Sequence, residues 1–274
     1  MIAAKSNPEY KRPVDERRDS VVPTLHLGKY FRYLWEEKDL LIVEGRFSEV
    51  AVSRRLYEER HGVVVADASA DKKLVELMGA AALAAVSLAD RESWGWTVTF
   101  EDAPFGYFVG VEPEGMICGR VREADTTKNA ALIQRQKAPA PLTQSHFEPR
   151  TADPAATVQQ YFEQSVQVKT RIVLDEEASG VLVQSLPGGR FEAVSGMEDA
   201  ELLALLRKLA ADQVLKPVGE VLVFYECRCD DEMVLNMVTS LPEKERREIF
   251  GDGNTLTMEC PRCGRTYEIQ RPLH

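Results

Sequence analysis

Histidine is scarce in this chain. Its 274 residues include four, His26, His61, His146 and His274, and none is spaced to pair with another as metal ligands are. No stretch reaches the about 20 apolar residues of a membrane span. The longest, LMGAAALAAVSLA, runs thirteen residues from Leu77 to Ala89 and reads as a buried helix. Surplus basic charge is also missing: 34 Lys and Arg against 44 Asp and Glu leave a net charge of −10. That balance argues against nucleic acid or an anionic membrane as a default partner. No glycine-rich phosphate loop ending in Gly-Lys-Ser or Gly-Lys-Thr occurs, so ATP has no recognisable cradle. The N-terminal MIAAKSNPEYKRPVDERRDS carries charges and prolines where a signal peptide needs an apolar core. We read residues 1–22 as a disordered arm on a cytoplasmic protein.

What is present has the balance of a globular protein, 44% apolar and 28% charged, with length enough for one large domain and a small one. After the arm, strands are expected near Leu40 to Val43 and near Glu49 to Arg54. Asp67 to Ala89 keeps helical spacing through Leu74, Leu77, Met78, Leu83 and Val86. WGWTVTF alternates as a strand does, and FGYFVGVEPEGMICGRVREA reads as a hairpin turning at Glu112 to Gly115. Residues 124–154 show little periodicity. A helix over TVQQYFEQSVQ and a strand pair over RIVLDEEASGVLVQSL, turning near Ala178 to Gly180, should come next. Ser195-Gly-Met-Glu198 has the form of a capping box. It opens a leucine-rich helix, DAELLALLRKLAADQVL, which Pro217 and Gly219 should end. The class is α+β, in four parts: the arm, a mixed α/β core over 23–187, a helical linker over 188–220, and a small cysteine-rich domain over 221–274.

Cysteine carries the chemistry. There are five, and four fall within the last 48 residues. In a reducing compartment such a cluster points to a metal site more often than to disulfides. Cys227 and Cys229 form a CxC pair, and Cys260 and Cys263 form a CxxC pair thirty residues later. Four thiolates can close a tetrahedral zinc site. With no histidine well placed to compete, the expected ligands are Cys227, Cys229, Cys260 and Cys263, with one Zn2+ per chain. Pro261 and Gly264 suit the tight knuckle between the second pair. Residues i and i+2 of an extended segment point the same way, so VFYECRC can present two sulfurs from a strand end. Their Cα atoms can also come within disulfide range. Cys118, in the second strand of the hairpin, reads as a buried structural thiol.

These residues resemble the redox switch of the bacterial redox-regulated holdase chaperones, the heat shock protein 33 family. The tail shares CRC, a helical stretch like DDEMVLNMVTSLPEKERREIF, a Gly-Asp-Gly turn and MECPRCGRTYEI. Upstream, QQYFEQSVQVKTR resembles a family segment through Tyr161, Phe162, Ser165, Gln167, Thr170 and Arg171, and VLVQSLP resembles the family's next segment. The N-terminal 120 residues match only in their order of elements. Val166 stands where the family usually has glutamate and Lys169 where it has proline. DDEM comes after CRC in place of a Ser-Arg-rich turn, and the segment between VLVQSLP and Cys227 is shorter than the usual linker.

The resemblance implies a cytoplasmic stress-response chaperone that works without ATP, holds unfolding client proteins and catalyses nothing. It implies a reduced state silenced by zinc on four thiolates. Oxidation would form local disulfides, Cys227–Cys229 and Cys260–Cys263, and release zinc. The tail and the Met197–Leu215 helix would then unfold, and a homodimer is an expected activated form. The competing reading is a zinc ribbon that binds protein or nucleic acid without redox switching. Residues 221–274 hold seven Arg and Lys against ten Asp and Glu, the wrong sign for phosphate contacts. An enzyme fits worse, because four cysteines leave zinc no open position. A thiol oxidoreductase would want its CxxC at the start of a helix.

Overall fold

The computed structural model describes residues 26–65, 67–88, 92–124 and 128–271. The arm expected over residues 1–22, and His274, lie outside them. The described chain opens with β1 (Gly28–Trp35) and β2 (Leu40–Gly45), then helices α1 (Ser48–His61) and α2 (Ala68–Ser87). Five strands come next: β3 (Ser93–Thr99), β4 (Phe105–Val111), β5 (Met116–Glu123), β6 (Ala130–Gln136) and β7 (Thr143–Phe147). Helix α3 (Pro154–Tyr161) runs into a π-helical turn and then a hairpin of β8 (Thr170–Leu174) and β9 (Gly180–Ser185). Helices α4 (Glu192–Ser195) and α5 (Asp199–Ala211) lead into β10 (Lys216–Tyr225). Last come α6 (Asp231–Thr239), α7 (Glu243–Phe250) and a hairpin of β11 (Thr255–Glu259) and β12 (Thr266–Gln270).

Among the described residues ten strands form one sheet, in the order β7-β6-β3-β4-β5-β10-β1-β2-β9-β8. Every neighbouring pair is antiparallel except β10 and β5, which run parallel through Phe224–Met116 and Tyr225–Ile117. Strand β10 is thus the seam between two antiparallel halves. Strand alternation sorts the side chains into two cores. On β9, Leu182 joins the core around α2, while Val181 and Val183 join a second one with Leu202 and Leu206 of α5. The mixed α+β class is borne out.

Helix α2 reads from its alanines, and the structure gives the reason. Ala80, Ala81, Ala82 and Ala84 are fully buried, and Asp67 caps the helix by accepting from the Ala70 amide at 2.8 Å. At Gly79 the helix meets the β8–β9 turn so closely that a Cβ there would lie 2.4 Å from the Ala178 carbonyl oxygen.

Several expectations are corrected. Glu49 to Arg54 is not a strand but the first half of α1, whose buried residues Val50, Arg54 and Tyr57 keep helical spacing. Residues 124–154 contain β6 and β7; Ala131 and Ile133 alternate inward there, on an edge too polar to show a strong pattern. The cap of α5 is Glu198, with Glu201 reaching back to its amide, and not Ser195. Pro217 and Gly219 do not end that helix, which stops at Ala211; they lie in β10, where a register shift against Arg32 and Tyr33 accommodates the proline. The boundary expected between residues 220 and 221 therefore falls inside a strand of the main sheet.

In an open helix interior, Gly→Ala stabilises by up to about 1 kcal/mol. At Gly79 the obstructing atom is backbone, so overpacking wins, and Gly79→Ala should cost about 1–3 kcal/mol. Urea unfolding of the two proteins checks the sign.

Candidate metal centre

The first sulfur pair is placed by the end of β10. The Tyr225 amide donates to Ser53 Oγ at 2.9 Å, its hydroxyl donates to the Gly119 carbonyl at 3.0 Å, and the Glu226 amide donates to Ile117 O at 3.0 Å. Cys227 and Cys229 follow directly, two and four residues past the last residue of the strand. Asp230 turns the chain at once by capping α6, accepting from the Met233 amide at 2.7 Å. The second pair sits in the turn between β11 and β12. There the Cys260 amide donates to Arg265 O at 2.8 Å and the Gly264 amide to Cys260 O at 3.0 Å. Gly264 adopts φ +82°, which side-chain-bearing residues rarely do.

The structure brings the four sequence-identified cysteines together. Their sulfurs all lie within 4.8 Å of one another, with Cys229–Cys263 at 3.4 Å and Cys227–Cys260 at 4.0 Å. A tetrahedron with metal–sulfur bonds of about 2.3 Å has edges of about 3.8 Å, so the set fits a metal ion. All four are buried, Cys260 and Cys263 to 1% exposure. The described histidines stay outside the set. His26 bonds Glu49, His61 lies tilted against Tyr57 at 4.4 Å, and His146 lies exposed on β7.

Cys118 is buried in β5 as expected, yet it borders the cluster. A hydrogen bond with Cys227 leads the effects that hold its thiol below the usual range, against burial and with help from the Arg262 charge.

Side chains that the sequence reading missed surround the sulfurs. The Tyr57 hydroxyl of α1 lies 3.3 Å from Cys263 Sγ and 3.8 Å from Cys229 Sγ. Burial pushes its phenol far above the usual value, so the hydroxyl keeps its proton. Both cysteine motifs carry an arginine between their sulfurs, and both arginines grip the β4–β5 turn. Arg262 pairs with Glu112 and Arg228 with Glu114. From β5, Arg120 donates to the Cys260 carbonyl at 2.9 Å and pairs with Glu259. The signals were present as CRC, CPRC and EPEG, but nothing local says that these acids meet those bases.

Glu112 is the most enclosed of these carboxylates, with 12% of its side chain exposed. Burial works against its charge, yet Arg262, helped by the Ser93 hydroxyl, holds its carboxyl below the usual range.

Comparison with known proteins bears on this geometry. The family model described as Hsp33 protein matches residues 66–270. A 33 kDa chaperonin of Hahella chejuensis is 31% identical over 137 residues, 43% of this chain and 48% of that protein. A 33 kDa chaperonin of Streptococcus pneumoniae strain JJA is 28% identical over 122 residues, 37% of this chain and 42% of that protein. The chain thus spans about half the length of the curated relatives it matches. The crystal structure of the 33 kDa chaperonin (heat shock protein 33 homolog) of Thermotoga maritima is similar in fold. Its TM-score is 0.65 at 17% identity, covering 90% of this chain and 95% of that one.

Replacing Glu112 with Gln should cost about 1–3 kcal/mol, because it leaves a half-buried guanidinium without its counter-charge. A depressed carboxyl contributes stability above its unfolded value and loses it as pH falls through the folded one. The gap in melting temperature between wild type and E112Q should therefore be full above the ordinary glutamate value of 4.5 and close below it. Thermal melts across that range test this.

Proposed function

The chain belongs to the Hsp33 family, whose members are chaperones and not enzymes, and from that premise we propose that it is a redox-regulated, ATP-independent holdase. The observation that carries this reading is the convergence of four buried sulfurs in a family member. Zinc is the ion that best suits four thiolates in a tetrahedron. Bound there, it would keep the sulfurs deprotonated and contribute an apparent ~10–16 kcal/mol to folding the tail.

Oxidation removes the ligands. Two thiolates form one disulfide by giving two electrons to one peroxide, which leaves as two hydroxide ions. The pairing decides the outcome. Local bridges, Cys227–Cys229 and Cys260–Cys263, close rings of three or four residues worth only about 1.5–2 kcal/mol each. Crossed bridges, Cys229–Cys263 and Cys227–Cys260, would close loops of sequence separation 34 and 33. These would be worth about 3.5–4 kcal/mol each and would keep the tail tied. Only local pairing makes a switch.

With the tail unfolded, the short parallel seam between β10 and β5 would yield first, and after it α5. Its Leu202 and Leu206 cover a core that includes Leu40, Ile42 and Val183. Uncovered, that apolar face suits unfolding client proteins in a reducing cytoplasm. The shortened linker leaves less apolar face to release than a longer one would.

The reduced protein should contain about one zinc per chain by elemental analysis. Serine at Cys227, Cys229, Cys260 or Cys263 should lower that content, whereas Cys118→Ser should not. Full retention in Cys260→Ser would remove the four-cysteine assignment.

Hypochlorite, or peroxide with mild heat, should release zinc, give the local disulfides by peptide mapping, and confer suppression of client aggregation in light scattering. A truncation used as control must end after Glu226, since one at Gly219 would cut β10. If neither oxidised protein nor truncation holds a client, the tail is a structural or partner-binding zinc module.

A further inference from the structure

Besides Cys118, a side chain far away in sequence reaches the sulfurs from helix α1 of the main sheet domain. Tyr57 precedes Cys229 by 172 residues and Cys263 by 206, yet its hydroxyl lies within hydrogen-bonding distance of both sulfurs. We propose that Tyr57 is a positioning residue of the metal centre: its hydroxyl donates to the Cys263 and Cys229 thiolates and ties their reactivity to helix α1. This rests on the metal reading above.

The direction of the bond is set by chemistry. A metal-bound thiolate has no proton to give, so the phenol is the donor. Its aim is fixed before any metal arrives. The ring is held edge-on by Tyr225 at 5.2 Å and met at a tilt by His61 at 4.4 Å, and it is 3% exposed. One turn earlier on α1, Arg54 is pinned by Glu58 and Asp71, and Ser53 accepts the Tyr225 amide. A donor held this way draws electron density from sulfur and makes it a weaker nucleophile toward an oxidant, while orienting it for the metal.

The bond also works in the other direction. When the sulfurs leave, a buried hydroxyl between Tyr225 and His61 loses its acceptors, at the cost any unsatisfied buried donor carries. Helix α1 then sits less firmly against β10. The state of the thiolates is thereby felt in the main sheet at a point independent of the α5 linker.

The test uses the full chain loaded with cobalt(II), whose thiolate-to-metal charge-transfer band reports electron density on sulfur. Tyr57→Phe should shift the band to lower energy, weaken cobalt binding about tenfold and speed thiol oxidation by peroxide severalfold. Replacing Tyr57 with 3-fluorotyrosine keeps the ring, strengthens the donor and should shift the band the other way. Tyr161→Phe is the control, because that buried hydroxyl accepts from Arg135 instead of meeting a sulfur; its band should stay in place. Should Tyr57→Phe fail to fold, the fluorinated protein decides alone. Cobalt-loaded variants with an unmoved band overturn the proposal. A wild type that takes up no cobalt on thiolate overturns the metal reading itself, and this inference falls with it.

Discussion

Strand β10 lies between β5 and β1, so the two halves of the sheet meet through it and the first two cysteines emerge from its end. Its placement is the constraint on which the metal centre depends. The CxC pair follows directly on that strand end, and its two sulfurs meet those of the second pair. The strand's last residue is fastened on both sides, to Ser53 of α1 and to Gly119 of β5. The second pair of sulfurs needs no such anchor. A glycine-assisted turn between β11 and β12 shapes it locally, and it has only to be delivered to the first.

That delivery has a clear ranking of energies. The pairs Arg262–Glu112 and Arg120–Glu259 bring the knuckle to the β4–β5 hairpin, and Arg228–Glu114 ties the first cysteine pair to the same turn. The two more exposed pairs contribute about 0–1 kcal/mol each, and the more enclosed Arg262–Glu112 pair more than that. The apolar core continues into the tail through Val234, Val238, Phe250, Tyr267 and Ile269, a small set for a module of this size. A tetrahedral metal bound there would outweigh the ion pairs severalfold. In this reading the arginines set where the tail docks, and the metal decides whether it stays folded.

The clustering of the four cysteines was legible because its information is local: two short motifs and a count of competing histidines. The α+β class was legible from helix and strand periodicities. What escaped was long-range. Helix α1 reads as a strand over Glu49 to Arg54 because Val50, Val52 and the arginines suit either state, and only packing on β10 selects the helix. The partners of Arg228 and Arg262 lie more than a hundred residues away in the EPEG turn. Pro217 and Gly219 look like helix breakers, and the strand they occupy is permitted by a register shift that no local pattern announces. The same surprise moved the expected boundary at residue 220 into the middle of β10.

That displacement changes how a switch would have to work here. A linker helix between two independent domains can be released simply by unfolding its neighbour. Here α5 leads into β10, which is hydrogen-bonded along its length to β1, so loss of the tail alone leaves α5 tethered to the sheet. The weak place is on the other side of β10. Its parallel pairing with β5 is confined to Phe224 and Tyr225, beside the first cysteines, and parallel pairing is slightly the less stable kind. The β4–β5 hairpin, Tyr225 and Tyr57 all lean on this short seam and on the sulfurs next to it. Strain or release at the metal would therefore reach the β5–β10 seam first and α5 only afterwards.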